Sequence, residues 1–267
     1  MARTRRKKQI EPTSVLEIDC LQERRTVSLD DYIHAVSAYV RAAGALDDNK
    51  KKAAQIRLSS ALARAIAGEL EKRLPQLKGK LAAEERSIAG ALRTVRADVS
   101  EVHPLDGLRL AIELKPVNLA VGRAIWNRFG DIRAFSVNIH LKFPFCVVGG
   151  VLVIPTYELA KLRGAELDKS DEEEEEIIQE DLQPQVREAG RHRSTVHLIQ
   201  RTIERLRRAG RRRTEADAPH HLESIGIIVY DPDKSEIDAE LPPVGSGLRW
   251  TEFLDEIAQT YRLRFED

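Results

Sequence analysis

The chain reads as an α/β protein, a mixed central sheet flanked by helices and preceded by an α-helical N-terminal region. Three observations predict this. The first eighty residues hold two apolar stripes at helical spacing. Residues 97–116 read as two extended runs folded at Asp106-Gly107, with Leu110-Ala111-Ile112 as a short buried strand. A helical stripe then leads to the continuous apolar run Phe143 to Pro155, the pattern of a strand buried in mid-sheet.

The first helix starts at Ser28 with Asp31 three residues on, a capping arrangement, and its stripe of Leu29, Ile33, Val36, Tyr39 and Val40 stops at Gly44. A second, longer helix runs from about Asp47 to Leu74, with Ile56, Leu62, Ile66 and Leu70 spaced for burial and Pro75 and Gly79 as the break. Residues 1–79 therefore form a helical N-terminal region that opens with a basic arm of Arg3, Arg5, Arg6, Lys7 and Lys8. Residues 80–267 form the second domain.

Beyond Pro116, Asn118 is placed to cap a helix with Leu119, Ala120, Ile125, Trp126 and Phe129 on its apolar side. Arg123, Asn127 and Arg128 lie on the other side, followed by Asp131 and Arg133. Ser194 is placed to cap another helix, with the stripe Val196, Ile199, Ile203 and Leu206 and with Arg201, Arg205, Arg207 and Arg208 pointing away from it. The tail reads as a strand from Ser224 to Tyr230, a turn at Asp231 to Lys234 and a core helix from Trp250 to Arg262.

Composition bounds the function classes. A chain of 267 residues with 42% apolar content can bury a core. No apolar run reaches membrane-span length, the longest being broken by Gly149-Gly150 and closed by Pro155. The basic N-terminus is followed by no apolar segment of a secretory signal, so a cytoplasmic location is expected. Cys20 and Cys146 fit reduced thiols and supply no zinc cluster. Neither GxGxxG nor GxxxxGK[ST] occurs, so no nucleotide cofactor is expected. The seven histidines are scattered or, at His220-His221, adjacent, and nothing resembles a nucleophile elbow.

Formal net charge is zero, yet the charge is segregated. From Glu166 to Asp181 ten acidic residues face the single Lys169, the signature of a surface loop. From Arg187 to Arg213 ten arginines face Glu188 and Glu204. A helix fixed by its apolar side and lined with guanidinium groups suits phosphate, because the planar fork engages oxygens bidentately. Arg123, Asn127, Arg128, Arg201, Arg205 and Arg208 are thus the expected DNA contacts.

The chemistry concentrates in ADVSEVHPLDGLRLAIELKP, residues 97–116. Side chains repeat every two residues along a strand, so Glu113 and Lys115 share a face. A return at Asp106-Gly107 brings Asp98 or Asp106 beside Glu113. Two converging carboxylates can hold Mg2+, a hard cation that prefers oxygen ligands and keeps several waters. Such an ion can generate hydroxide and shield a phosphate, with the lysine orienting water or stabilising developing charge. An acid-x-Lys triplet also occurs at Asp48-Asn49-Lys50, but there without a strand around it.

These residues resemble the PD-(D/E)XK nuclease superfamily over roughly residues 80 to 155. Glu113 and Lys115 correspond to the second half of its motif. Asp98, fifteen positions earlier, and Asp106, in Pro104-Leu105-Asp106, are alternative first aspartates, and Asp98 has the more comfortable hairpin spacing. The resemblance implies a further glutamate on a preceding helix, for which Glu85 at the head of EERSIAGALRTV is the candidate. It implies a restriction-endonuclease-like sheet and a Mg2+-dependent type II restriction endonuclease acting on double-stranded DNA. It assigns the helical N-terminal region to dimerisation or DNA grip. A cutter of two-fold symmetric sites is expected to be a homodimer. Two alternatives remain at this point: a repair or junction-resolving nuclease of the same fold, and a non-catalytic DNA-binding protein in which Glu113 and Lys115 are only paired.

Overall fold

The computed structural model describes residues 26–159 and 192–266, together with Ile18, Leu21 and Arg24. The basic arm at 3–8, Cys20, Arg187 and the acidic run 166–181 lie outside the described residues. Helix α1 (Leu29–Ala42) begins as its sequence requires, the Asp31 N–H donating to Ser28 Oγ at 3.0 Å while the Ser28 N–H donates to Asp31 Oδ2 at 3.1 Å. Helix α2 (Asp48–Arg73) is capped by Asp47, whose Oδ1 accepts the Lys50 N–H at 2.9 Å. Leu58, Leu62, Ile66 and Leu70 are buried on one side of it, whereas Ile56 is 60% exposed. Ile56 precedes Leu58 by two residues, about 200° of helical rotation, and so faces solvent.

Two hairpins follow. Strands β1 (Arg86–Ala89) and β2 (Thr94–Ala97) pair antiparallel, so the run after Glu85 is extended, not helical. Its tip is tied down by Asn138, whose Oδ1 accepts the N–H groups of Leu92 and Arg93 at 3.2 and 3.0 Å. Strands β3 (Val99–His103) and β4 (Gly107–Pro116) form the second hairpin, turning through Pro104 to Asp106 into Gly107 at φ 72°, a left-handed conformation natural to glycine.

From β4 the chain crosses through helix α3 (Val121–His140) into the fully buried β5 (Val147–Pro155), parallel to β4. The short β6 (Tyr157–Leu159) and β7 (His192–Ser194) pair with each other. Helix α4 (Val196–Arg207) leads on to β8 (Ser224–Asp231), parallel to β5, then to β9 (Glu236–Ile237) and helix α5 (Trp250–Phe265). The sheet has the order β3-β4-β5-β8-β9, mixed and five-stranded. The protein is thus α/β with helices on both faces.

Alternate residues of the strands feed two cores. Leu110, Ile112, Leu114, Val151 and Tyr230 pack with α1, α2 and α5 on one face. Ala111, Val148, Leu152 and Ile227 pack with α3 and α4 on the other. Residue 79 therefore marks a change of secondary structure, while packing runs across it. Gly149 and Gly150 permit close layers: a Cβ at Gly149 would lie 2.8 Å from the Phe253 ring, and one at Gly150 would lie 2.4 Å from Ile132 Cγ2.

Two expected caps are placed otherwise. Asn118 is buried and its Oδ1 accepts the Tyr230 hydroxyl at 3.3 Å. The chain enters α3 through Ala120 at φ 53°, and the first helical N–H, of Val121, donates to the Glu158 carboxylate. Ser194 ends β7, and Thr195 takes the cap position of α4, its hydroxyl donating to the Pro155 carbonyl. At Asn118 a tertiary partner outcompetes the local bond, whereas Ser194, one residue outside the cap, still accepts the Val196 N–H at 3.4 Å. Among the described residues no helix is long and apolar enough to cross a membrane.

Candidate active site

The β3–β4 register pairs Val99 with Ile112, which brings Asp98, the residue before β3, close to Glu113, the residue after Ile112. Asp98 occupies the bend between β2 and β3 and keeps the ladder through its N–H, which donates to the Ile112 carbonyl at 3.1 Å. Its Oδ2 accepts the Leu114 N–H at 2.7 Å. That bond fixes the carboxylate beside Glu113. The Glu113 side chain lies on the α3 face and is nearly buried, at 8% exposure, next to Gly150 of β5. Lys115, two residues on and on the same face, closes an ion pair with Glu113 Oε1.

The electrostatics follow from this crowding. Burial pushes the Glu113 carboxyl up to about 7; the Lys115 ammonium opposes the rise, and the Asp98 and Asp131 charges add to it. Burial also raises Asp98, against the Leu114 N–H and Lys115, and the Glu85 charge adds to the rise. Two oxygen-only side chains, side by side and held above the ordinary carboxylate range chiefly by burial, match a hard cation, which takes one or two carboxylates and keeps its waters. Asp98 and Glu113 are the residues that would hold it. Among the described residues no group of three or more histidine, cysteine, aspartate or glutamate side chains is arranged around a common metal position.

The alternative first aspartate is placed elsewhere. Asp106 sits in the hairpin turn, bonded to Arg109 Nε at 2.8 Å and lying 3.4 Å from His103 Nδ1. It precedes Glu113 by seven strand positions, about 20 Å along β4. It takes no part in the pair. Glu85 stands on an extended lead into β1, exposed and paired with Arg96 at 3.2 Å, so the expected helix does not form. Its charge still reaches Asp98. The carboxylate that a helix does bring to the site is Asp131 of α3, which acts on Glu113 from above the sheet while pairing with Arg128 at 3.2 Å. Sequence reasoning grouped Asp131 with the polar face of that helix, which gave no sign of its register against β4.

Arg123, Asn127 and Arg128 are exposed on α3, and Arg201, Arg205 and Arg208 are exposed on or just beyond α4. The two helices lie side by side: the Arg205 guanidinium stands 4.7 Å above the Trp126 ring, and a Cβ at Gly122 would touch Leu198 at 3.5 Å. The expected DNA contacts are thus brought to one surface, on the same side of the sheet as Glu113.

A second polar cluster is sealed. Glu223, 1% exposed, accepts the Val148 N–H at 2.8 Å and Arg264 Nη1 at 2.8 Å, and lies 3.1 Å from His140 Nε2. Ser136 Oγ lies 3.0 Å from His140 Nδ1. Serine, histidine and glutamate in hydrogen-bonded series invite comparison with a nucleophilic triad, but all three are buried and Ser136 also bonds the Pro219 and His221 carbonyls. The cluster ties α3, β5 and α5 to the loop before β8. A cleft of about 430 Å³ beside it, lined by Phe145, Arg212, Arg213 and Arg264, is not where the carboxylate pair lies. Geometry and donor chemistry, more than cavity size, single out Asp98 and Glu113.

No protein family, no curated protein and no solved structure matches the chain.

Proposed function

We propose that the protein is an endonuclease that hydrolyses phosphodiester bonds of double-stranded DNA with Mg2+, acting as a type II restriction endonuclease and as a homodimer on two-fold symmetric sites. The single observation that carries this reading is the fixed, partly desolvated pair of Asp98 and Glu113 across one hairpin, with Lys115 on the same face. A metal held there supplies an acidic water and shields the phosphate. Asp98 and Glu113 provide its oxygen ligands. Lys115, on the same face and paired with Glu113, would donate to a phosphate oxygen or orient the attacking water. The arginines of α3 and α4 lie on the same side and fit the flanking backbone, where charge supplies affinity and register but not sequence.

One observation favours a second reading. Lys115 is closed onto Glu113, and a chain in which that pair is permanent would bind DNA without cutting it. Incubation of a long plasmid or phage DNA with and without Mg2+, alongside Glu113→Ala and Lys115→Ala, separates the two. Discrete bands that need Mg2+ and vanish in both variants support the endonuclease. Cutting that follows branched structure in place of sequence supports a repair or junction-resolving enzyme. Intact DNA under every condition, with binding retained, supports the non-catalytic reading.

A further inference from the structure

The ring of Trp126 is 36% exposed although it belongs to a helix with ample core residues of its own, Val121, Ile125, Ile132, Phe135 and Ile139. It is not among the residues that seat α3 on the sheet. Three neighbours orient it: Arg205 of α4 stands over its face at 4.7 Å, Phe129 meets it edge-on at 6.5 Å between ring centres, and Arg133 lies 6.0 Å over Phe129. Two adjoining aromatic rings, Trp126 and Phe129, are thus covered at either end by a guanidinium group, Arg205 from α4 and Arg133 from α3. Around that seam, α3 and α4 with the C-cap Arg208 carry seven exposed arginines against Asp131 and Glu204.

We infer that the Trp126–Arg205 stack is a docking shelf for an unstacked base, one turned out of the duplex whose backbone the surrounding arginines hold, so that a free oligonucleotide binds this surface more tightly as a single strand than as an intact duplex. The inference rests on the DNA-binding reading of the surface and not on the hydrolytic one. A base within duplex shows only its edges in the grooves, whereas an unpaired base offers a face that a guanidinium plane or an indole can cover. The occupant is a polyanion because the surrounding arginines outnumber the acids, and it is a nucleic acid because only that polyanion carries flat, stackable groups at each charge. Arg205, already braced by the indole, is pre-oriented and loses little freedom on binding.

The test measures anisotropy of a labelled single-stranded oligonucleotide and of its duplex, in EDTA, with the full chain. The expected result is tighter binding of the single strand, weakened about tenfold by Trp126→Ala and by less on the duplex. Trp126→Phe should retain most of the affinity, and Trp126→Leu, which keeps apolar volume without an aromatic face, should behave as the alanine variant does. Thermal melts of the leucine variant establish that it is folded. Equal loss on both DNAs, or no loss on either, overturns the shelf. Absence of any binding by the wild-type chain overturns the shelf together with the DNA-binding surface. Because no divalent ion is present, Mg2+-dependent cleavage of plasmid remains a separate result: cleavage with no single-strand preference discards this inference and leaves the nuclease reading standing.

Discussion

Asp98, at the bend before β3, lies beside Glu113 of β4, and a single bond, Leu114 N–H to Asp98 Oδ2 at 2.7 Å, holds the first next to the second. Both carboxyls sit above their ordinary range, chiefly because burial disfavours ionisation, with the Asp98 charge adding to the rise at Glu113 and the Glu85 charge adding to the rise at Asp98. Asp98→Asn and Glu113→Gln should therefore each abolish Mg2+-dependent cleavage, by roughly a hundredfold or more on the scale of removing one group that stabilises developing charge. Asp106→Asn should leave at least half of the activity, since Asp106 is engaged in the turn with Arg109 and His103. Initial cleavage rates on plasmid decide both points, and a dead Asp106→Asn would contradict the site described above.

Without a divalent ion, stability should fall as pH rises toward neutrality. A glutamate in the unfolded chain releases its proton near the ordinary 4.5, while folded Glu113 holds its proton to about 7. Between those values the folded state binds more protons, so its stability declines across that window by up to roughly 3 kcal/mol and levels off above it. Urea midpoints from pH 4.5 to 8 should show this slope in the wild-type chain and a flatter profile in Glu113→Gln.

Mg2+ should restore what deprotonation removes. A ligand that binds only the folded state stabilises it in proportion to the logarithm of its concentration over Kd, and here it competes with the Glu113 proton. The Tm should rise with Mg2+ more at pH 8 than at pH 5. Glu113→Gln should show little rise at either pH, and an equal rise in that variant would place the ion elsewhere.

Glu223 is the point on which three elements converge, accepting from Arg264 and the Val148 N–H and facing His140 at full burial. Glu223→Ala strands Arg264 and Arg212 with uncompensated charge and should cost about 3–5 kcal/mol. Chemical denaturation checks it, and a loss below ~1 kcal/mol would mean that water replaces the carboxylate.

Gly150→Ala should destabilise by roughly 1–3 kcal/mol, because the new methyl would meet Ile132 Cγ2 at 2.4 Å where α3 presses on β5. Ile132→Val removes only the Cδ1 methyl, 3.3 Å away, and keeps the clashing Cγ2, whereas Ile132→Ala clears both. A double-mutant cycle should therefore show coupling of opposite sign to the single losses. Additive losses would show that α3 shifts away as a body.

The amino-acid sequence by itself determined the local elements and the one pairing that follows from them. Ser28 with Asp31, Asp47, and the stripes of α1 and α2 specify those helices through contacts within a few residues. Alternation of side chains put Lys115 on the Glu113 face, while a turn at Asp106-Gly107 left Asp98 and Asp106 as alternative partners; the hairpin that forms shifts register between Glu101 and Val102, and Asp98 is the aspartate beside Glu113. Only the tertiary structure decided which other groups attend the pair. Asp131 reaches Glu113 because of how α3 is rotated over β4, and Glu85 lies on an extended segment because Asn138, far along the chain, holds the β1–β2 tip. Asn118 left its expected cap for the Tyr230 hydroxyl, and Trp126 left the apolar stripe for Arg205. The buried union of His140, Glu223 and Arg264 joins residues spread over most of the second half of the chain. Local propensity acts through bonds a few residues apart, whereas these arrangements depend on rotations and approaches of whole elements that no short stretch of sequence encodes.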